Sequence, residues 1–400
     1  MCRAADTRRV SKRVALILLA AVNAVCLIAI PSAASGDATT TCNLVVSPSG
    51  SDSAAGTLSA PFQTAQKLVS SLTPGETGCL EAGTYSENVT FRTAGTATAP
   101  ITLTSYPGQT ATIVGRMYIV DGANYTTITR LNLNGENPQQ ALSPMIDANN
   151  ATFSHDNVTN DHTGTCFGIG SATWGWATGT LITHDTIHDC GQLPATNAQH
   201  GLYIGAATDT TIAWSLIYGN ADRGIQLYPD AQHTTIDHNI IDDNGEGIII
   251  SGADGAASSY TNIYDNILSN ANVRHDVESY WPPGNPVGVD NTVHNNCIWG
   301  GREGGIGMAD GGYRASENLK ASPQFVNEAA HDYELRATSP CLLMSGDPQA
   351  AVDGTAPVQP TASAMMTMRR FLGLGSRRKH VRQLPLLSGD AAEVGASQLR

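Results

Sequence analysis

Charge is scarce in this sequence. Asp, Glu, Lys and Arg make up 14% of its 400 residues, against ~25% in ordinary globular chains. So few charges exclude a coiled coil or a solvated helical bundle, whose outer faces depend on them. Lysine is scarcer still: between residues 37 and 360 it occurs at Lys67 and Lys320 alone. That body holds 10 basic against 32 acidic side chains. A surface so acidic repels phosphate backbones, which excludes nucleic acid as a partner. It also repels a polyanionic glycan unless an arginine or a cation intervenes. No Cys-x-x-Cys pair occurs, so a zinc site has no support and no metal ligands are assigned. Beyond one apolar run at residues 14–30 there is no second, and no later membrane span is expected.

What is present begins with an export signature. Arg8, Arg9, Lys12 and Arg13 precede the apolar run, and Pro31-Ser32-Ala33-Ala34 supplies small residues for cleavage. Residues 1–34 therefore read as a secretory signal, with an uncleaved anchor as the alternative. The expected product is secreted, extracellular, monomeric and free of the membrane. Cys2 and Cys26 leave with the signal, and Cys42, Cys79, Cys166, Cys190, Cys297 and Cys341 remain. An even number in an oxidising compartment points to disulfides. Proximity in sequence favours the pairs 42–79, 166–190 and 297–341.

Glycine, at 40 residues, favours turns and strands, and an internal repeat organises them. Phe153-Ser-His-Asp-Asn-Val158, Ile182-Thr-His-Asp-Thr-Ile187, Ile236-Asp-His-Asn-Ile-Ile241 and Val293-His-Asn-Asn-Cys-Ile298 share one pattern. Its first apolar residue recurs at 128, 153, 182, 212, 236, 263 and 293. A second short strand follows in several units, as in Gly201-Leu-Tyr-Ile204, Gly224-Ile-Gln-Leu227 and Gly247-Ile-Ile-Ile250. Strands this short cannot bury a face alone, so the units must stack and share a core. Alternation turns Leu202, Ile204, Ile225, Leu227, Ile248 and Ile250 inward. An Asp/Asn column (Asp156, Asp185, Asn239, Asn266, Asn296) marks one turn, where side-chain amides bond along the stack. The pattern is that of an all-β, single-stranded right-handed parallel β-helix solenoid. Phe62, Ala65, Leu68, Val69 and Leu72 form a helical stripe suited to capping its open N-terminal end.

The segments Val46-Ser-Pro-Ser-Gly-Ser-Asp52, Pro61-Phe62-Gln-Thr-Ala-Gln-Lys67 and Ala82-Gly-Thr-Tyr85 resemble the opening of the secreted pectate-lyase-like right-handed β-helix proteins. Ser322-Pro-Gln-Phe-Val-Asn327, Asp332-Tyr-Glu-Leu335 and Ser339-Pro340 resemble their closing segment. The resemblance implies the fold, and a carbohydrate partner outside the cell. It leaves the chemistry open, because that superfamily holds lyases, hydrolases, epimerases and adhesins. The domain layout is then 1–34 signal, 42–90 cap and first coil, 91–355 β-helix, and 356–400 a basic disordered tail.

Stacking places chemistry-bearing residues in columns ~4.8 Å apart per coil. One column reads Thr165, His200, Arg223, Glu246. The next holds Tyr203, Gln226 and Ile249, and the third holds Gly205, Tyr228, Ser251 and Asp290. Asp222 and Asp230 lie at the margins. β-Elimination on a uronate needs a base for the proton beside the carboxylate, a group to neutralise that carboxylate, and an acid for the leaving oxygen. Related β-helix lyases commonly use Lys or Arg as base, often with calcium held by acids. No lysine falls on the central coils, so the expected set is Arg223 as carboxylate clamp, His200 and Tyr203 for protons, and Glu246, Gln226 and Tyr228 on sugar hydroxyls. Calcium is carried forward as a cofactor from the abundance of acids alone. Trp174 and Trp176 are candidates to stack on sugar rings. Two other readings stand beside this one: a hydrolase using Glu246 and Asp230 as its carboxyl pair, and a non-catalytic glycan-binding or surface structural protein, with Arg223 and Glu246 a surface ion pair.

Overall fold

The computed structural model describes residues 41–342. The signal at 1–34 and the tail at 356–400 lie outside the described residues. Within them the chain winds into a parallel β-helix of three sheets, one of eleven strands and two of ten. The first sheet runs from Leu44–Val46 to Tyr313–Ser316, the second from Val89–Phe91 to Gly304–Gly307, and the third from Gly83–Ser86 to Leu319–Lys320. A short antiparallel pair, Phe325–Asn327 with Asp332–Leu335, follows the last coil.

Hydrophobic periodicity explains the winding. Ile128, Phe153, Ile182, Ile212, Ile236, Ile263 and Val293 stack as register partners in the first sheet and are fully buried. Each such side chain contributes ~1.5–3 kcal/mol on leaving water. The helix Ala65–Ser71 covers the N-terminal end with Ala65, Leu68 and Val69. Thr64 caps it by accepting from the Lys67 N–H, and the Glu87 carboxylate accepts from the N–H groups of Ala65 and Gln66.

The turn column is a hydrogen-bonded ladder. Asn239 Oδ1 accepts from Ser215 N at 2.9 Å while its Nδ2 donates to Ile212 O at 2.8 Å; Asn266 and Asn296 repeat the pattern. Beside it, His155, His184, Trp214 and His238 hold left-handed backbone with φ between 55° and 59°. Their rings stack along the outside, His155 on His184 at 5.0 Å and Trp214 on His238 at 4.3 Å. The disulfides join Cys42 to Cys79, Cys166 to Cys190 and Cys297 to Cys341, the pairs that proximity favours.

Candidate functional site

The site is built on the second sheet. Its strands Leu202–Thr208, Arg223–Gln232, Glu246–Ser251 and His275–Tyr280 pair in parallel. Gly201, Gly224 and Gly247 precede the inward-facing residues, and a Cβ at Gly224 or Gly247 would lie 2.9 Å or 2.1 Å from a carbonyl oxygen of the next coil. In the following coil Asp276 takes the glycine position, its carboxylate accepting from the N–H groups of Ala271 and Gly301.

Register confirms that Arg223 faces Glu246 and that Tyr203, Gln226 and Ile249 form one column. The column continues to Glu278, and the third column passes from Ser251 to Tyr280. Asp290 is not in it: that side chain is exposed and lies 4.0 Å from Arg314. Asp230 also leaves the site. It accepts from Gln232 Nε2 at 2.6 Å, and the strand between Arg223 and Tyr228 alone extends ~16 Å. Glu246 and Asp230 are thus too far apart to flank one glycosidic bond, which needs ~5–9.5 Å.

The expected open surface column is buried instead. His200, Arg223 and Glu246 are 2%, 5% and 3% exposed. The cause is the loop 195–199, drawn over them by Asp222. That carboxylate accepts from the N–H groups of Asn197, Ala198 and Gln199 at 2.6, 2.8 and 2.7 Å and from the Thr196 hydroxyl. These bonds hold its pKa below the usual value despite burial. Asp222 is a positioning residue, not a sugar ligand. An Asp222→Ala variant should free this loop for proteolysis, detected as new cleavage within residues 195–199; unchanged protection would refute the assignment.

Arg223 Nε donates to Glu246 Oε2 at 2.9 Å, and its other nitrogens donate to Asn197 O and Oδ1. All of its strong directions are taken inside the protein, so it is not a free carboxylate clamp, and the pair is not a surface one. Glu246 has a second cation, Arg274, at 3.5 Å. Arg274 is 40% exposed on its side chain and also holds Glu278 at 3.0 Å. The Glu246 and Glu278 carboxyls touch, and burial with that like charge raises Glu278 to about 7. A cavity of about 250 Å³ opens here, lined by Ala195, Asn197, Asp222, Glu246, Val273 and Arg274. Arg274, Glu278 and Asn197 carry no signature in the repeat pattern, so sequence reasoning missed them.

His200 is corrected as well. Burial and the nearby Arg223 push its pKa down to about 3, so the imidazole is neutral and shielded, stacked 6.2 Å from the Tyr203 ring. Burial lifts Tyr203 to about 12; its phenol stays protonated at neutral pH and suits a donor, not a base. Tyr228 meets Tyr203 edge-on at 6.2 Å. Trp174 and Trp176 are 64% and 43% exposed on a separate loop.

Among the described residues no group of three or more His, Cys, Asp or Glu is placed to hold a metal. Asp222 is saturated by four donors and Glu246 by two guanidiniums.

The family described as Pel9A-like, right-handed β-helix region matches residues 44–256. Pectate lyase PEL9 of Emericella nidulans is 44% identical over 75 residues, which are 18% of this chain and 18% of that protein. Among solved structures, pectate lyase Pel9A superposes with a TM-score of 0.51 at 14% identity, covering 75% of this chain and 91% of that one. XylC in complex with xylose gives 0.52 at 14% identity, covering 66% and 69%. At such identities the structural likeness is one of fold.

Proposed function

The chain belongs to the Pel9A-like right-handed β-helix family, and on that footing we propose that it is an extracellular carbohydrate-active enzyme cleaving a uronate-containing polysaccharide by β-elimination. The observation that carries this reading is the cavity where Glu246 and Arg274 meet. Burial and the like charge of Glu246 raise Glu278 to about 7, so its carboxyl exchanges a proton near neutral pH. Glu278, held beside the cavity by Arg274, is thereby matched to the work of a general base, while Glu246 stays bound to Arg223 and Arg274. Arg274, the exposed guanidinium, meets the substrate carboxylate and stabilises the charge that develops as the adjacent proton leaves. The electron pair then expels the glycosidic oxygen, which takes a proton from water, and a double bond remains in the sugar. Return of a proton to the opposite face would give epimerisation. Tyr203, Gln226 and Tyr228 lie along the same outer face and suit sugar hydroxyls and rings.

The test is product mass after incubation with polygalacturonate, alginate and neutral glycans, with and without calcium. Fragments lacking the elements of water are expected from the uronates. Fragments with water added would overturn elimination in favour of hydrolysis. An intact panel without solvent-deuterium uptake would overturn catalysis altogether.

A further inference from the structure

A second cluster lies on the same outer face, toward the N-terminal end of the second sheet. Tyr118, on the strand Met117–Ile119, occupies the outward column that continues through Met145 and Gly168 to Tyr203. Its phenol donates to Asp147 Oδ2 at 2.6 Å. Arg116 lies over the Tyr118 ring at 4.5 Å and donates from Nε to Leu142 O at 3.4 Å. Arg92, exposed on the preceding coil, also acts on Tyr118 electrostatically. Arg116 therefore covers this phenol, and Arg92, on the coil before it, adds positive charge to the same neighbourhood in a strongly acidic body.

The Trp174-Gly175-Trp176 turn reaches the same place. Its ends are bridged between Ser171 and Gly175. At Gly175 a Cβ would lie 2.5 Å from Asp147 O and 2.9 Å from Asp121 Cβ, so the turn folds back over the two preceding coils. Both tryptophans stay exposed beside it, where an ordinary surface turn has no need of them. Asp147 is fully buried below, with Oδ1 lacking a hydrogen-bond partner.

We propose that Arg92, Arg116 and Tyr118, with the Trp174–Trp176 turn, form a separate binding subsite for a uronate residue of the polysaccharide. The guanidiniums supply paired donors for a carboxylate, and the indole faces supply a platform for a pyranose ring. From Tyr118 to Glu278 the outward column runs six coil steps, ~29 Å in all. The subsite therefore holds a remote part of a long chain whose cleavage point is at Arg274. The inference rests on an acidic polysaccharide being the ligand, and its test does not require turnover.

The experiment is affinity electrophoresis of the whole protein through gels containing polygalacturonate or alginate, with xylan as the neutral control. Wild-type protein should be retarded by a uronate gel and not by xylan. Arg92→Ala and Arg116→Ala should each weaken retention about tenfold, and Trp176→Ala should do the same. Arg92 is exposed, so its variant keeps the fold, and matching thermal midpoints check the others. Equal retention of wild type and all three variants would overturn the subsite, as would absence of retention by both uronates. Selective loss of retention with no cleavage of any glycan would uphold the subsite and defeat the catalytic reading instead.

Discussion

Replacing Arg223 with Met should destabilise the protein by about 3–5 kcal/mol, while replacing Arg223 and Glu246 together with Met should restore most of that loss. The asymmetry follows from burial. Arg223 and Glu246 are 5% and 3% exposed, and the single substitution strands Glu246 with Arg274 alone, at 3.5 Å. It also removes the donors to Asn197 that help fix the loop over the site. Removing both charges eliminates the uncompensated carboxylate. Denaturant unfolding of the two variants checks this, with a thermodynamic cycle giving their coupling. Equal cost for the single and double variants would show that the pair is not the unit described here. The comparison also bears on activity: loss of turnover in Arg223→Met arises through folding, whereas Arg274 is 40% exposed on its side chain and leaves Glu246 its Arg223 partner when replaced.

The winding was legible because its cause is local. An apolar residue recurring at 128, 153, 182, 212, 236, 263 and 293 leaves few ways to bury short strands other than stacking. Asp276 shows where that logic stops. The coil at His275–Tyr280 lacks the glycine that announces its neighbours, because two N–H groups satisfy an aspartate there. Without that glycine the repeat pattern passes over this coil, so Asp290 is expected where Tyr280 stands and Glu278 carries no signal. The site's surface character was misread for a different reason. Whether His200 and Arg223 face water depends on residues 195–199, and Asp222 reaches those from another coil. Column spacing reports which side chains are neighbours. It does not report which loop lies on top of them.

Asp185→Asn should stabilise the protein by about 1–3 kcal/mol at pH 8, the cost of a buried polar atom left without a partner. The gain should vanish in acid, below the unfolded-state pKa of ~3.9. Asp156 and Asp185 occupy rungs of the turn ladder whose other members include Asn239, Asn266 and Asn296. Asp156 Oδ1 accepts from Leu131 N at 2.8 Å, and Asp185 Oδ1 accepts from Asp156 N at 2.7 Å. The second oxygen of each is buried without a partner, at the position where the asparagines carry a donating Nδ2. A carboxyl fills that role only when protonated. Burial accordingly pushes Asp156 up to about 8 and, together with the nearby Asp156 carboxyl, lifts Asp185 well above the ordinary range. In the unfolded chain both lose their protons near ~3.9. Between that value and the folded pKa the native state binds more protons than the unfolded one, so stability falls as pH rises. Below the window both states are protonated, and the slope vanishes. Asparagine supplies the donor at every pH and removes Asp185's share of the slope. Thermal midpoints of wild type and Asp185→Asn should therefore coincide in acid and diverge toward pH 8, with the variant higher. Parallel curves across that range would mean that the aspartates are ionised in the ladder, and that something other than a proton satisfies their buried oxygens.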